Sequence, residues 1–448
     1  MFSSILSRFT PASKLKPGLY TFRGKNESKG LSVQLRVEPN GKGVLAINAN
    51  AVLYMNETAT LHAYLFVKGS TITEAVNTLT KIYKVSKEDA RKDYEHLIYT
   101  INTIASTEKI CPVSYLGVDR LEPFSAVSKA PVRMDLALTF RCQNDCLHCY
   151  TGGPKETPEL STFDWIKVIK RIKEQSIFVI TFTGGEPTLR EDLPQLLQFA
   201  QDSGFVTGLV TNGRRLSDSK YMRSLEKAGL DFAQITVESY IPQVHDRMTC
   251  SPGSWEETIQ GLVNALSSEI YVSTNTTLTS LNADDALETM TFLKSIGVKN
   301  FCCNSLIYSG RGISSEAIAL PIEKLKKILE ELKEKAEQLG MTFTWFTPTR
   351  YCELDPINME LGLKSCSAAL LNMCVAPNGD VYPCQSYFKP VGNILRDKWE
   401  NIWNDPLCVD LRERKFAPPE CKDCPDFKTC GSGCPLEYGG DQYLCQEH

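Results

Sequence analysis

The sequence predicts an α/β protein built on a partial (βα)6 barrel, with a winged-helix-like α+β unit before it and a cysteine-rich segment after it. Three observations predict this. Strand-like and helical patterns alternate through residues 132–310. A hairpin signature and three helical patterns fill residues 1–101. Beyond residue 340 long helical patterns give way to Gly, Pro, Asp and ten of the chain's 17 cysteines.

In the first unit, Leu31–Val37 and Gly43–Ile47 alternate around Glu38-Pro39-Asn40-Gly41-Lys42, whose Asn-Gly suits a tight hairpin turn. Helical periodicity covers Glu57–Val67, Thr71–Tyr83 and Ser86–Ile101, with Ser86 as a cap. A wing plus three helices also describes DNA-binding modules, but no helix here is basic enough to read a groove. Residues 102–131, with Pro112, Pro123 and Pro131, read as a linker.

The barrel strands are expected at Arg133–Thr139, Phe178–Phe182, Val206–Thr211, Phe232–Val237, Tyr271–Leu278 and Val298–Leu306. Helices are expected between them at Thr162–Gln175, Leu193–Ser203, Ser217–Ala228, Trp255–Ser267 and Ala283–Ile296. Repeated βα units make a parallel sheet, whose chemistry belongs at the C-terminal ends of the strands. Residues 311–350 then bridge to a last domain at 351–448.

Charge and hydropathy exclude several classes. The 49 basic and 53 acidic side chains leave a net charge of −4, so no nucleic-acid partner is expected. No apolar run approaches the ~20 residues of a membrane helix, and Met1–Arg8 lacks a secretory signal. A cytoplasmic, reducing setting follows as the expectation, and there clustered cysteines are metal ligands more often than disulfides.

The first cluster is Cys142-x3-Cys146-x2-Cys149, directly after the first barrel strand. Three soft thiolates in a short loop suit a 4Fe–4S cube and leave one iron open to a small molecule. Its place at the barrel mouth argues against a zinc knuckle completed by His148. The second cluster runs from Cys366 through Gly379 to Cys384, then Cys421-x2-Cys424-x5-Cys430-x3-Cys434, and ends at Cys445.

The first spacing, followed by Tyr150, resembles the radical S-adenosylmethionine (SAM) enzymes. The resemblance implies a TIM-like radical SAM barrel whose Cys142, Cys146 and Cys149 hold the catalytic cluster. There SAM is cleaved to a 5′-deoxyadenosyl radical, with electrons from a flavodoxin- or ferredoxin-type reductant. Thr183-Gly184-Gly185-Glu186-Pro187 is similar to the family's GGEP loop, which holds the SAM amino group, and Thr211-Asn212-Gly213 is also familial. Thr236 and Glu238 stand where the family often has Ser-x-Asp-Gly near the SAM ribose and carboxylate; Asn275 and Thr277 are alternative contacts.

The C-terminal spacing, with Gly392-Asn393-Ile394 and Ile402-Trp403, resembles the SPASM extension of that family. It implies two auxiliary 4Fe–4S clusters, three in all. One would take Cys421, Cys424, Cys430 and Cys445; the other Cys366, Cys384 and Cys434. For the last corner, a hairpin over Val375–Cys384 puts Cys374 opposite Pro383 and facing away from Cys384. Cys352 is then the expected ligand, with an open iron as the alternative. Cys111, Cys250, Cys302, Cys303, Cys374 and Cys408 remain, mostly as small buried residues. One of the adjacent pair Cys302 and Cys303 should face the barrel interior, where it would be placed to donate hydrogen.

Residues 1–101 resemble the PqqD-like recognition element of ribosomal-peptide (RiPP) maturases. This implies a precursor peptide whose leader adds as a strand at Leu31–Val37 or Tyr20–Arg23, against a wall of Asp93, Tyr94, Leu97 and Ile98. The expected function is modification of that peptide, by a thioether or C–C crosslink. The alternatives are a formylglycine-forming sulfatase maturase and a haem-precursor or small-molecule enzyme.

Overall fold

The computed structural model describes residues 15–24, 31–47, 51–106 and 128–438. Cys111 and Cys445 lie outside them. The chain divides into two compact units, residues 1–128 with 173–178, and residues 129–172 with 179–448.

The first unit is a four-stranded antiparallel sheet followed by three helices. Strands β1 (Gly18–Arg23), β2 (Ser32–Val37), β3 (Gly43–Ile47) and β4 (Ala51–Met55) pair in that order. The expected hairpin is β2–β3, with Val37 opposite Gly43; β1 and β4 extend it. Helices follow at Glu57–Val67, Ile72–Ile82 and Lys87–Ser106. Thr71 and Glu74 close a capping box on the second. Val33, Leu35, Leu45 and Ile47 bury against Ala63, Val67 and Ile101.

Two expectations for a peptide groove change. β2 lies between β1 and β3, so among the described residues Tyr20–Arg23 on β1 forms an edge and Leu31–Val37 does not. Tyr94 is fully buried beside Leu79 and Ala90, and its hydroxyl donates to Ser70 O at 3.2 Å, so it walls no groove.

The second unit carries the six expected strands, β5 (Arg133–Thr139), β6 (Val179–Gly184), β7 (Val206–Thr211), β8 (Phe232–Thr236), β9 (Tyr271–Leu278) and β10 (Asn300–Ser305), each parallel to the next. β6 is buried along its whole length, as a strand covered on both faces must be. On the helix Thr162–Glu174, Trp165, Val168, Ile169 and Ile172 share one stripe and are fully buried. Each such aliphatic chain contributes about 1.5–3 kcal/mol.

The sheet continues past the six. β11 (Thr342–Trp345) adds parallel to β10, and β12 (Asn372–Val375) adds parallel to β5 before turning into β13 (Val381–Tyr382). The C-terminal cysteine-rich segment is thus joined to the barrel by backbone hydrogen bonds. In this hairpin Cys374 faces Tyr382, one register step from the expected Pro383. Among the described residues no helix is long and apolar enough to cross a membrane.

Candidate active site

The loop after β5 carries Cys142, Cys146 and Cys149, and all three line a cavity of about 520 Å³. The loop is held from outside. Asp145 N and Leu147 N donate to Thr249 O and Met248 O at 3.0 and 2.9 Å. Arg311 pairs with Asp145 at 2.6 Å and donates to Asp145 O and Cys146 O at 2.6 and 3.1 Å. Arg214 donates to Asn144 Oδ1 at 2.7 Å and Gln143 O at 3.2 Å. Nothing in the local sequence marks these two arginines.

Burial pushes the Cys142 thiol up to about 12, and the Glu186 carboxylate adds to it. Burial raises Cys146 as well, with Glu238 adding to it. Iron must therefore displace protons to bind. Among the described residues no three His, Cys, Asp or Glu side chains converge on one ion. A cube needs its thiolates at separate corners, not around a single ion.

Gly184 and Gly185 press against the start of the thiol loop. At Gly184, where φ is +133°, a Cβ would strike the Thr139 carbonyl oxygen; at Gly185 it would strike that of Arg141. Both glycines line the cavity, with Tyr150, Thr211, Asn212, Thr236, Glu238, Asn275 and Thr277. Glu186 and Pro187, also expected as cofactor contacts, are not among its lining residues. Glu186 is fully buried and spent on the protein, accepting from Thr188 N (3.1 Å), Thr188 Oγ1 (2.6 Å), Thr211 Oγ1 (2.7 Å) and Asn212 N (2.8 Å). Pro187, next to it, opens a 3₁₀ turn behind the wall. Glu186 ties the end of β6 to the end of β7.

Glu238 is held on several sides. His148 Nε2 lies 3.0 Å from Oε1, Thr277 N donates to Oε2 at 2.9 Å, and the Glu238 N–H donates to His245 Nδ1 at 3.2 Å. His245 comes from the helix Pro242–Thr249. Asn275 donates to Asn304 Oδ1 at 2.7 Å, but its own Oδ1 is buried with no partner. An orphaned acceptor beside three thiols is what a bound ligand with N–H groups satisfies, so the donor set fits SAM on an iron–sulfur cluster.

Cys366, Cys384 and Cys434 line the same cavity. Burial pushes the Cys384 thiol up to about 12, with Cys366 adding to it, and raises Cys434, again with Cys366 close by. Cys352 is not with them. It is exposed, and the neighbouring Tyr351 N donates to Cys430 Sγ at 3.3 Å. Cys374 shares the sheet face of Asp135 and packs against Ala137, Phe140 and Ala376. It also comes within electrostatic reach of Cys384, contrary to the expected opposite facing. Cys302 and Cys303 are both buried, and neither lines this cavity.

A second cavity of about 820 Å³ adjoins the first and shares Leu306, Tyr308, Thr347, Ser386, Leu436 and Glu437 with it. Ile313, Arg350, Glu353 and Phe388 also line it, mixing charge with apolar surface.

Comparison with known proteins identifies the class. Residues 136–293 match the Radical SAM superfamily, and residues 366–425 match SPASM, an iron–sulfur cluster-binding domain. The chain thus carries a radical SAM domain and a SPASM domain. Among relatives, it is 27% identical over 326 residues to the mycofactocin maturase MftC of Mycobacterium tuberculosis, covering 70% of this chain and 81% of that one. It is 26% identical over 322 residues to the Fe-coproporphyrin III synthase of Methanosarcina barkeri, covering 65% and 80%. In fold it is similar to Streptococcus suis SuiB bound to precursor peptide SuiA, with TM-score 0.67, 15% identity, and 92% and 96% of the two chains covered. It is also similar to anSMEcpe with bound AdoMet and Cp18Cys peptide, with TM-score 0.55, 18% identity, and 70% and 94% covered.

Proposed function

We propose that this chain modifies a ribosomally made precursor peptide by radical SAM chemistry, forming a thioether or C–C crosslink. The observation that carries this reading is the joined pair of cavities. One holds two sets of three thiols, and the other offers a chamber of about 820 Å³ next to them. With SAM on a reduced 4Fe–4S cluster, the site would supply a 5′-deoxyadenosyl radical able to take one hydrogen atom from the substrate.

The chain's residues do the rest. Cys142, Cys146 and Cys149 hold the cluster, and Gly184 and Gly185 let the SAM end approach the loop. Thr236, Glu238 and Asn275 face its polar groups. Cys366, Cys384 and Cys434 hold an auxiliary cluster beside the chamber, able to accept the second electron as the substrate loses a proton and closes its new bond. A flavodoxin- or ferredoxin-type protein supplies the first electron. The first unit takes up the leader by adding it to the β1 edge, and tethering raises the local concentration of the core peptide.

The mycofactocin maturase relatives and the SuiB likeness support a peptide substrate. The SuiB match, at 92% of the chain, takes in most of the first unit, whereas the anSMEcpe match stops at 70%. Coexpression with a short peptide encoded beside the gene tests the reading. Mass spectrometry should show loss of two hydrogens per crosslink, abolished by Cys146→Ala. A second reading, a small-molecule enzyme, draws on the Fe-coproporphyrin III synthase and AdoMet-dependent heme synthase relatives. It predicts no leader binding in a fluorescence-anisotropy titration.

A further inference from the structure

We propose that Thr151 is a positioning residue of the first cluster, its hydroxyl donating to the Cys149 thiolate and raising the cluster's reduction potential. The inference rests on the reading that Cys142, Cys146 and Cys149 hold that cluster, and it adds a residue that the cysteine spacing does not mark.

Backbone geometry puts the hydroxyl there. Gly152 N donates to Cys149 O at 3.1 Å, closing a turn over residues 149–152 with Gly152 at φ +86°. That turn brings Thr151 back toward the thiol, and its Oγ1 lies 3.1 Å from Cys149 Sγ. The turn is held from both sides. Arg311 N donates to Cys149 O at 2.9 Å, and Lys155 Nζ donates to Thr151 O at 2.8 Å. Lys155 in turn lies over the rings of Phe140 and Phe388. Thr151 is 4% exposed, which keeps bulk water from competing for its hydroxyl.

Chemistry fixes the direction of the bond. A cysteine bound to iron is a thiolate and has no proton to give, so the hydroxyl must be the donor. The alternative acceptor, Gly153 O, stands off at 3.5 Å. A hydrogen bond to a ligand sulfur offsets negative charge there, and the reduced cluster carries one charge more than the oxidised one. The bond therefore favours reduction. Cys142 is served in the same way, by Asn144 N at 3.4 Å and Asn212 Nδ2 at 3.8 Å. Asn212 Oδ1 accepts from Arg214 N at 3.1 Å, which leaves the amide N–H to face the sulfur.

The test is a redox titration of anaerobically reconstituted full-length protein, followed by electron paramagnetic resonance. The first cluster is identified by the change in its signal on adding SAM. Thr151→Val keeps the shape of the side chain and removes the hydroxyl. At the potential that half-reduces the wild-type first cluster, the ratio of reduced to oxidised cluster should fall several-fold in Thr151→Val. It should stay near wild type in Thr151→Ser, and the auxiliary signals should move in neither. Should Thr151→Val not take up iron, Thr151→Ala, with no branch to seat, should show the same fall. An unmoved first-cluster potential in SAM-responsive Thr151→Val overturns the assignment alone, as does an equal fall in Thr151→Ser. Loss of the first cluster from both the Val and Ala variants makes the hydroxyl structural and overturns it too. Iron-loaded wild type with no SAM-responsive signal overturns it together with the reading it rests on.

Discussion

His148 Nε2 lies 3.0 Å from Glu238 Oε1, which ties the thiol loop to the residue just beyond β8. Glu238 is 1% exposed, and both its partner and its position come from other elements. Replacing His148 with Ala removes the imidazole facing Glu238 Oε1, a buried oxygen with no hydrogen-bond donor of its own, at a cost of about 1–3 kcal/mol. His148→Ala should lower the midpoint of thermal unfolding and weaken SAM binding by calorimetry, and His148→Gln should restore part of both.

The other imidazole gives a pH dependence. Burial holds His245 below its ordinary 6.5, with Glu238 pulling the other way, and its Nδ1 must stay unprotonated to accept the Glu238 N–H. A group whose folded value is depressed costs nothing above the unfolded value and destabilises as pH falls through the window beneath it. Stability should therefore hold above about 6.5 and decline below it, by urea unfolding at a series of pH values. His245→Asn should flatten that slope.

Gly184 is a packing constraint as well as a turn. Its φ of +133° and the Thr139 carbonyl both exclude a side chain. Gly184→Ala should cost about 1–3 kcal/mol, the range for overpacking. Iron analysis should show loss from the first cluster, with the auxiliary iron retained.

Arg311 reaches the thiol loop from well outside it, donating to two backbone carbonyls there as well as pairing with Asp145. Arg311→Met keeps much of the stem and removes those donors. Reconstituted Arg311→Met should lose the SAM-dependent spectral change at the first cluster faster in air than wild type.

Much of this was legible because the signals are local. Three barrel strands, Arg133–Thr139, Val206–Thr211 and Tyr271–Leu278, match the expected bounds to the residue, since each is a short β-rich run between turn residues. Cys142, Cys146 and Cys149 declare themselves by spacing. What spacing could not show is which distant partner a side chain meets. Glu186 reads as a cofactor contact, and nothing in its spacing shows the bonds it accepts from Thr188, Thr211 and Asn212. β11 and β12 are four-residue strands stabilised by an existing sheet edge, so their own sequence carries little of the signal. The register of Cys374 against Tyr382 depends on a turn only one residue different from the expected one, and one step moves a side chain to the other face.

The central claim is that Cys142, Cys146 and Cys149 hold a cluster that would cleave SAM when reduced. Anaerobically reconstituted protein, reduced with dithionite and mixed with SAM, should yield 5′-deoxyadenosine by liquid chromatography and mass spectrometry, and Cys146→Ala should yield none. Iron-loaded, reduced wild-type protein that leaves SAM intact would contradict the account.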